Sequence, residues 1–247
     1  MNPDNQIITF QWTTHYLPKI AVRIESLCQS AEQACHETHP VIHQVALHNI
    51  LEIIKIIEKP ELKSRFLKEF LRMEHACIKQ GGDFPFQKQL HDEIVYLNHT
   101  AGRFGEAIQS HPLLQSIRSG QSNHHEIDID CPQLLFWLKN DPEPRQHDLR
   151  KWLKCLQPLH KMVSLYLSLL KHTAVFEVIP MPQGFYQRNL PPRLTCQLIL
   201  CKINRMYGLV PKIQLGNYGI SLRLYEAETM REAQPQDAFC ELAICQT

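Results

Sequence analysis

Cys35, His36, His39 and His43 crowd into one short stretch, and each side chain can ligate a metal or move a proton. A zinc-protease helix carries histidines at i and i+4, with a glutamate directly after the first. Here Glu37 follows His36, but the next histidine comes at i+3. His39 and His43 have the i, i+4 spacing, yet Pro40 lies between them and no carboxylate takes the required place. The stretch therefore reads more simply as a polar loop and helix start than as a zinc site, and no metal or cofactor is expected. The pairs Cys196/Cys201 and Cys240/Cys245 are each five apart, an odd separation that points two thiols to opposite faces of a strand. Glu126, Asp128 and Asp130 suit general acid/base work, but Ile127 and Ile129 alternate with them as on a strand with one wet face. There is no G-x-S-x-G and no phosphate-cradling glycine loop. No arrangement here demands catalysis.

Basic residues stand where local structure does not require them. Ile220, Leu222 and Leu224 alternate with Ser221, Arg223 and Tyr225, so period two puts Arg223 on the polar side of a strand with Tyr225 beside it. An arginine next to an aromatic on a sheet face suits an anion or a peptide; it also suits a plain solvated face. Lys59 sits in a turn between two helices, where it helps end the first. Arg23 lies beside an apolar helix stripe, as a snorkelling residue does.

Helices come first in the elements that must hold these residues. Ile20, Ile24, Leu27 and Ala31 make one stripe; Pro40 opens a second helix, Val41 to Ile57, apolar on nearly every side. After Pro60 comes the stripe Leu62, Phe66, Phe70, Met73, Cys77, stopped by Gly81-Gly82. Asp83 is placed to cap a fourth helix with Phe86, Leu90, Ile94 and Leu97 inward, closed by Gly102. Residues 121 to 125 read as loop. Pro132 starts a short segment, and Asp141-Pro142 starts a run that Pro158 breaks into a bent pair of helices. From Val175 the period is two: Val175 to Ile179, Leu194 to Ile203, a strand after a turn at Asn217, and Cys240 to Ile244. Ile7 to Phe10 is β-prone as well and needs a sheet to join. The expected class is α+β, a helical bundle followed by a mostly antiparallel sheet. The expected division is 1–14 as a strand joining the β part, 15–174 as a helical, dimerising domain, and 175–247 as the β domain.

Composition narrows the field further. With 44% apolar and 21% charged residues, the 247-residue chain is an ordinary globular one, able to bury about 70–75% of its unfolded surface. Its net charge is +1, without a basic block, which argues against nucleic acid as a partner. The greasiest run, Val163 to Leu170, is far short of the roughly 20 residues of a membrane span, and the first residues lack a leader's pattern. Nine cysteines without a C-x-x-C pair fit reduced thiols in the cytoplasm.

Several words in the sequence then carry a family likeness. Trp137-Leu138, Trp152-Leu153-Lys154-Cys155-Leu156-Gln157-Pro158-Leu159, Gly184-Phe185-Tyr186-Gln187 and Cys240-Glu241-Leu242-Ala243 stand in the order and spacing of the ZapD family, as do Arg23-Ile24-Glu25 and Glu58-Lys59-Pro60-Glu61-Leu62. The chain resembles that family over nearly its full length. The resemblance implies a non-enzymatic α+β homodimer that binds the C-terminal tail of the tubulin-like FtsZ and bundles its filaments at the mid-cell division ring. It implies tail contacts at Arg223, Tyr225, Arg23, Lys59 and Lys212. Arg223 matches the second of two strand arginines, while Gly219 stands where the first would be; Lys59 replaces an arginine. Pro112 and Leu135 stand where relatives can carry Arg and His, and Gln11-Trp12-Thr13-Thr14 departs from the usual Glu-His-Pro-Leu type. The alternative from another class is a cytoplasmic small-molecule enzyme built on His36, His39 and His43.

Overall fold

The computed structural model describes residues 6–80, 85–120, 131–191, 196–216, 219–235 and 238–246. Its elements are β1 (Ile7–Thr13), α1 (Tyr16–Ala34), α2 (Pro40–Ile57), α3 (Leu62–Gln80), α4 (Gln87–His99), α5 (Glu106–Gln109), α6 (Pro112–Gly120), α7 (Pro132–Lys139), α8 (Pro142–His172) and then β2 (Glu177–Pro180), β3 (Phe185–Asn189), β4 (Cys196–Asn204), β5 (Leu209–Gly216), β6 (Gly219–Glu226) and β7 (Phe239–Gln246). The class is α+β, as expected: helices first, then antiparallel sheet, with the N-terminal strand joining it. The chain forms two compact units, Ile20–Leu167, and Met1–Lys19 together with Ser168–Thr247. The expected glycine stop at Gly81-Gly82, the Asp83 cap, the loop at 121–125, the acidic cluster Glu126/Asp128/Asp130 and the Asn217 turn lie outside the described residues.

In the helical unit the i, i+4 stripes become the core. Ile24, Leu27 and Ala31 of α1 and Leu62, Phe66, Phe70 and Met73 of α3 are buried. Phe66 meets Tyr166 edge-on with ring centroids 5.4 Å apart. The run containing Pro158 is one helix rather than a bent pair. A proline inside a helix removes a hydrogen bond and costs about 3 kcal/mol. Here that cost is met by tertiary packing, since Trp152, Leu156, Leu159, Met162, Val163 and Tyr166 are all buried on either side of it. Among the described residues, α2 is the one helix long and apolar enough to cross a membrane by length and composition, and half of it is buried within the chain. Its N-terminus has Pro at the first turn and His39 as cap, the imidazole accepting from the Val41 amide at 3.3 Å.

His43 and Arg145 tie this unit together at a place that periodicity does not mark. Arg145, 3% exposed, donates to His43 Nδ1 at 2.9 Å and to the carbonyls of Leu138 (2.7 Å), Asn140 (2.5 Å) and Thr38 (2.7 Å). The other ring nitrogen of His43 lies 2.8 Å from the Glu37 carbonyl, so the neutral Nε2–H tautomer satisfies both contacts. Burial holds the His43 pKa below its ordinary value and Arg145 adds to that, while the Glu37 hydrogen bond opposes both. A histidine with a lowered folded pKa gives stability that is present above the unfolded pKa of about 6.5 and is lost as pH falls below it, because the unfolded chain then binds the extra proton. The urea midpoint should therefore drop from pH 7 to pH 5.5, and His43→Gln should flatten that drop; an unchanged pH slope in the variant would refute the assignment.

The β unit is a pair of sheets. The four-stranded sheet has the order β1-β4-β7-β2 and the three-stranded sheet β3-β6-β5. They share a core: Ile199, Cys201 and Ile203 of β4 and Cys240 and Leu242 of β7 cluster with Ile220, Leu222 and Leu224 of β6. The opposite face of the larger sheet carries Leu198, Leu200, Ala243 and Cys245. Cys240 and Cys245 thus point to opposite faces, as their spacing requires. Cys196 and Cys201 do not: both lie in the shared core. A register shift between Cys196 and Leu198 adds one residue to β4 and resets the alternation.

Candidate functional site

The outer face of the three-stranded sheet gathers the basic residues. With Ile220, Leu222 and Leu224 committed to the core, strand geometry leaves Ser221, Arg223 and Tyr225 on the outside. Phe185 of β3 and Lys212 of β5 are both register partners of Arg223, so Phe185, Arg223 and Lys212 form one row across three strands. The Arg223 guanidinium lies 5.1 Å from the Phe185 ring centroid, and Lys212 Nζ 5.7 Å from that of Tyr225. Both are cation–π distances, which hold each charge over an apolar surface while leaving it in reach of solvent. Arg223 Nη1 also donates to Glu232 Oε2 at 2.6 Å, both side chains about half exposed.

Beside this row a depression of about 320 Å³ is lined by the polar side chains of Gln187, Asn189, Gln214 and Ser221, with Leu215, Gly216, Gly219 and Ile220 completing its wall. Amide side chains both donate and accept, as a peptide main chain does. Gly219 is needed for strand spacing: a Cβ there would stand 2.3 Å from the Arg188 carbonyl oxygen of β3. An arginine at this position requires β3 and β6 to move apart, so the smaller residue and the tight strand pair go together.

Of the residues singled out in the sequence, Arg223, Tyr225 and Lys212 meet on this face. Arg23 and Lys59 belong to the helical unit. Arg23 forms a two-point ion pair with Glu52 of α2, 2.8 and 2.6 Å, and that hydrogen bond raises its pKa and lowers that of Glu52. Lys59 is exposed in the turn between α2 and α3, next to Glu58, which pairs with Arg118 of α6. Pro112 opens α6 and Leu135 is exposed on α7. The histidines take separate tasks: His36 is exposed, His39 caps α2, and both ring nitrogens of His43 are engaged inside the core. Among the described residues no group of three or more His, Cys, Asp or Glu is arranged to hold a metal ion.

Sequence reasoning missed two members of the site. Phe185 was visible only as part of the Gly184-Phe185-Tyr186-Gln187 word. Glu232 gave no local signal, because it reaches Arg223 through an isolated bridge between Tyr225 and Glu232.

The family model ZapD, described as a cell division protein, matches residues 22–223. The chain belongs to the ZapD family. That match runs through nearly all of the helical unit and ends at Arg223, midway along β6. Relatives named Cell division protein ZapD include one from Vibrio vulnificus (strain CMCP6), 28% identical over 92% of this chain and 94% of its own length. Another from Coxiella burnetii (strain RSA 331 / Henzerling II) is 25% identical over 87% of each chain. A third from Azoarcus sp. (strain BH72) is 24% identical over 97% of this chain and 99% of its own. The ZapD likeness therefore spans nearly the whole chain and carries the same name throughout.

Proposed function

We propose that the protein is a non-enzymatic division factor that binds the C-terminal tail of FtsZ and, as a homodimer, cross-links FtsZ filaments at the cytoplasmic division ring. The observation that carries this reading is the row Phe185, Arg223, Lys212 on an exposed sheet face, with Tyr225 beside it. Two cations seated over aromatic rings, next to an amide-lined depression, suit an extended acidic peptide with a carboxylate end. Arg23 and Lys59 are proposed as further tail contacts, Arg23 by exchanging Glu52 for a carboxylate of the tail. One site per protomer is enough for bundling, because two sites on a twofold dimer engage tails tethered to different filaments.

The dimer surface proposed is the exposed side of α2. Val41 is 57% and Val45 50% exposed there, and on the neighbouring α7 Phe136 is 73% exposed. The other strongly apolar stretch of the expected dimerising domain, Leu159 to Leu170, is mostly buried within the chain and offers little surface. A monomer by light scattering at micromolar concentration would count against the dimer.

The whole reading is tested by pelleting with FtsZ and GTP. The protein should co-sediment with FtsZ and stay in the supernatant with FtsZ lacking its tail. No co-sedimentation at any salt concentration would remove the reading.

A further inference from the structure

Glu232 has no task in the core, yet the backbone delivers it onto Arg223 of this sheet face. β6 ends at Glu226, and the chain turns back through Met230, which takes φ 55, a conformation that few side chains adopt. Thr229 braces the turn, donating to Glu226 Oε2 at 2.7 Å and accepting from the Arg231 amide at 3.1 Å. Backbone bonds from Glu226 to Arg231 (3.0 Å) and from Ala233 to Leu224 (3.0 Å) then lay residues 231–233 along β6. Antiparallel partners share a face, so pairing with Tyr225 puts the Glu232 side chain on the outer side, diagonal to Arg223. Its carboxylate closes on Arg223 Nη1 at 2.6 Å. Among the described residues Lys212, directly across the strand pair from Arg223, has no ion-pair partner.

We infer that Glu232 is a resident stand-in for the ligand's carboxylate, and that an acidic peptide binds this face by displacing it from Arg223. The inference rests on the reading of this face as the FtsZ-tail site and adds its selectivity. An isolated carboxylate competes poorly with a tethered one, whose effective concentration is of millimolar order or above. A peptide with two carboxylates gains Lys212 as well as Arg223, so the stand-in sets a threshold that favours multivalent acidic ligands.

Exposed ion pairs close with a constant of about 1–5, so removing the stand-in should tighten binding about two- to sixfold. The measurement is fluorescence anisotropy of a labelled FtsZ tail peptide with the full-length protein, at 50 and 200 mM salt. Four proteins are compared: wild type, Glu232→Gln, Arg223→Gln and the double variant. Glu232→Gln should bind more tightly and lose more affinity with salt than wild type, which exchanges one ion pair for another. In the Arg223→Gln background the gain should vanish, because the stand-in then covers nothing. A gain of the same size in both backgrounds would mean a general charge effect and overturn the inference, as would equal or weaker binding by Glu232→Gln. Wild type that binds while Glu232→Gln shows no gain removes the inference alone; no binding by any of the four removes the tail-site reading with it.

Discussion

Arg223→Glu should abolish FtsZ bundling while the protein remains folded and dimeric. The side chain points away from the core between Leu222 and Leu224, which are both buried, so reversal of its charge leaves the packing intact. The fold loses an exposed ion pair with Glu232, a contribution of about 0.2–1 kcal/mol, and the cation–π contact with Phe185, about 0.5–1 kcal/mol. Binding loses far more. A hydrogen bond to a charged group contributes about 1.5–3 kcal/mol, or one to two decades of affinity. The new glutamate also adds a second carboxylate beside Glu232, so the face now repels an acidic tail. On the proposed dimer, cross-linking needs both sites filled together, so the deficit acts twice. Salt should imitate the substitution in part, since exposed charges are screened within about 10 Å at 0.1 M. Light scattering of FtsZ with wild type and variant reads the effect, with circular dichroism and sizing of the variant alongside. Normal bundling by a folded Arg223→Glu dimer would place the tail elsewhere, with Arg23 and Lys59 next to be changed.

The largest stability effect is expected at Arg145. Its guanidinium joins the loop before α2, the loop between α7 and α8, and His43, through four donated hydrogen bonds. It does so from the first turn of α8, where the helix dipole disfavours a cation, so tertiary contacts must hold it there. Arg145→Met keeps the apolar stem and leaves His43 Nδ1 and three carbonyls without this donor. Each unpaired buried polar group costs about 1–3 kcal/mol, and allowing for relaxation the total should be about 3–5 kcal/mol. At about 2–4 °C per kcal/mol for a chain of this size, the melting temperature should fall by about 10 °C. Arg145→Lys should recover little of it, because a single ammonium cannot span a fork of acceptors. A variant melting within 2 °C of wild type would show that the four bonds are replaceable. The hydrogen bonds around Arg223 lie in the other unit, so FtsZ-tail binding through the proposed Arg223 face is a second readout that a purely local loss of packing at Arg145 should leave in place.

Local pattern was enough for the α+β class and for the core stripes. A helix face repeats at 3.6 residues and a strand face at two, so burial writes itself into spacing: Phe66 and Phe70 on α3, Leu222 and Leu224 on β6. The same logic put Arg223 outside its strand. The family words point to ZapD on a different footing, by resemblance in order and spacing, and the family match agrees with them.

What local spacing could not decide was everything made by residues far apart in the chain. It broke the helix at Pro158, where packing on both sides carries it through. Parity separated Cys196 from Cys201, and a bulge set by pairing with β7 reunited them. The cluster of histidines looked like one chemical group, yet Arg145, about a hundred residues away in sequence, takes His43 into the core and leaves His36 outside. Lys212 and Phe185 become neighbours of Arg223 only through strand register, which the matching of buried faces and the turn geometry set between strands and which no single strand shows by itself. Glu232 reached the same arginine by a turn with one residue in the left-handed region, a geometry that sequence spacing does not reveal.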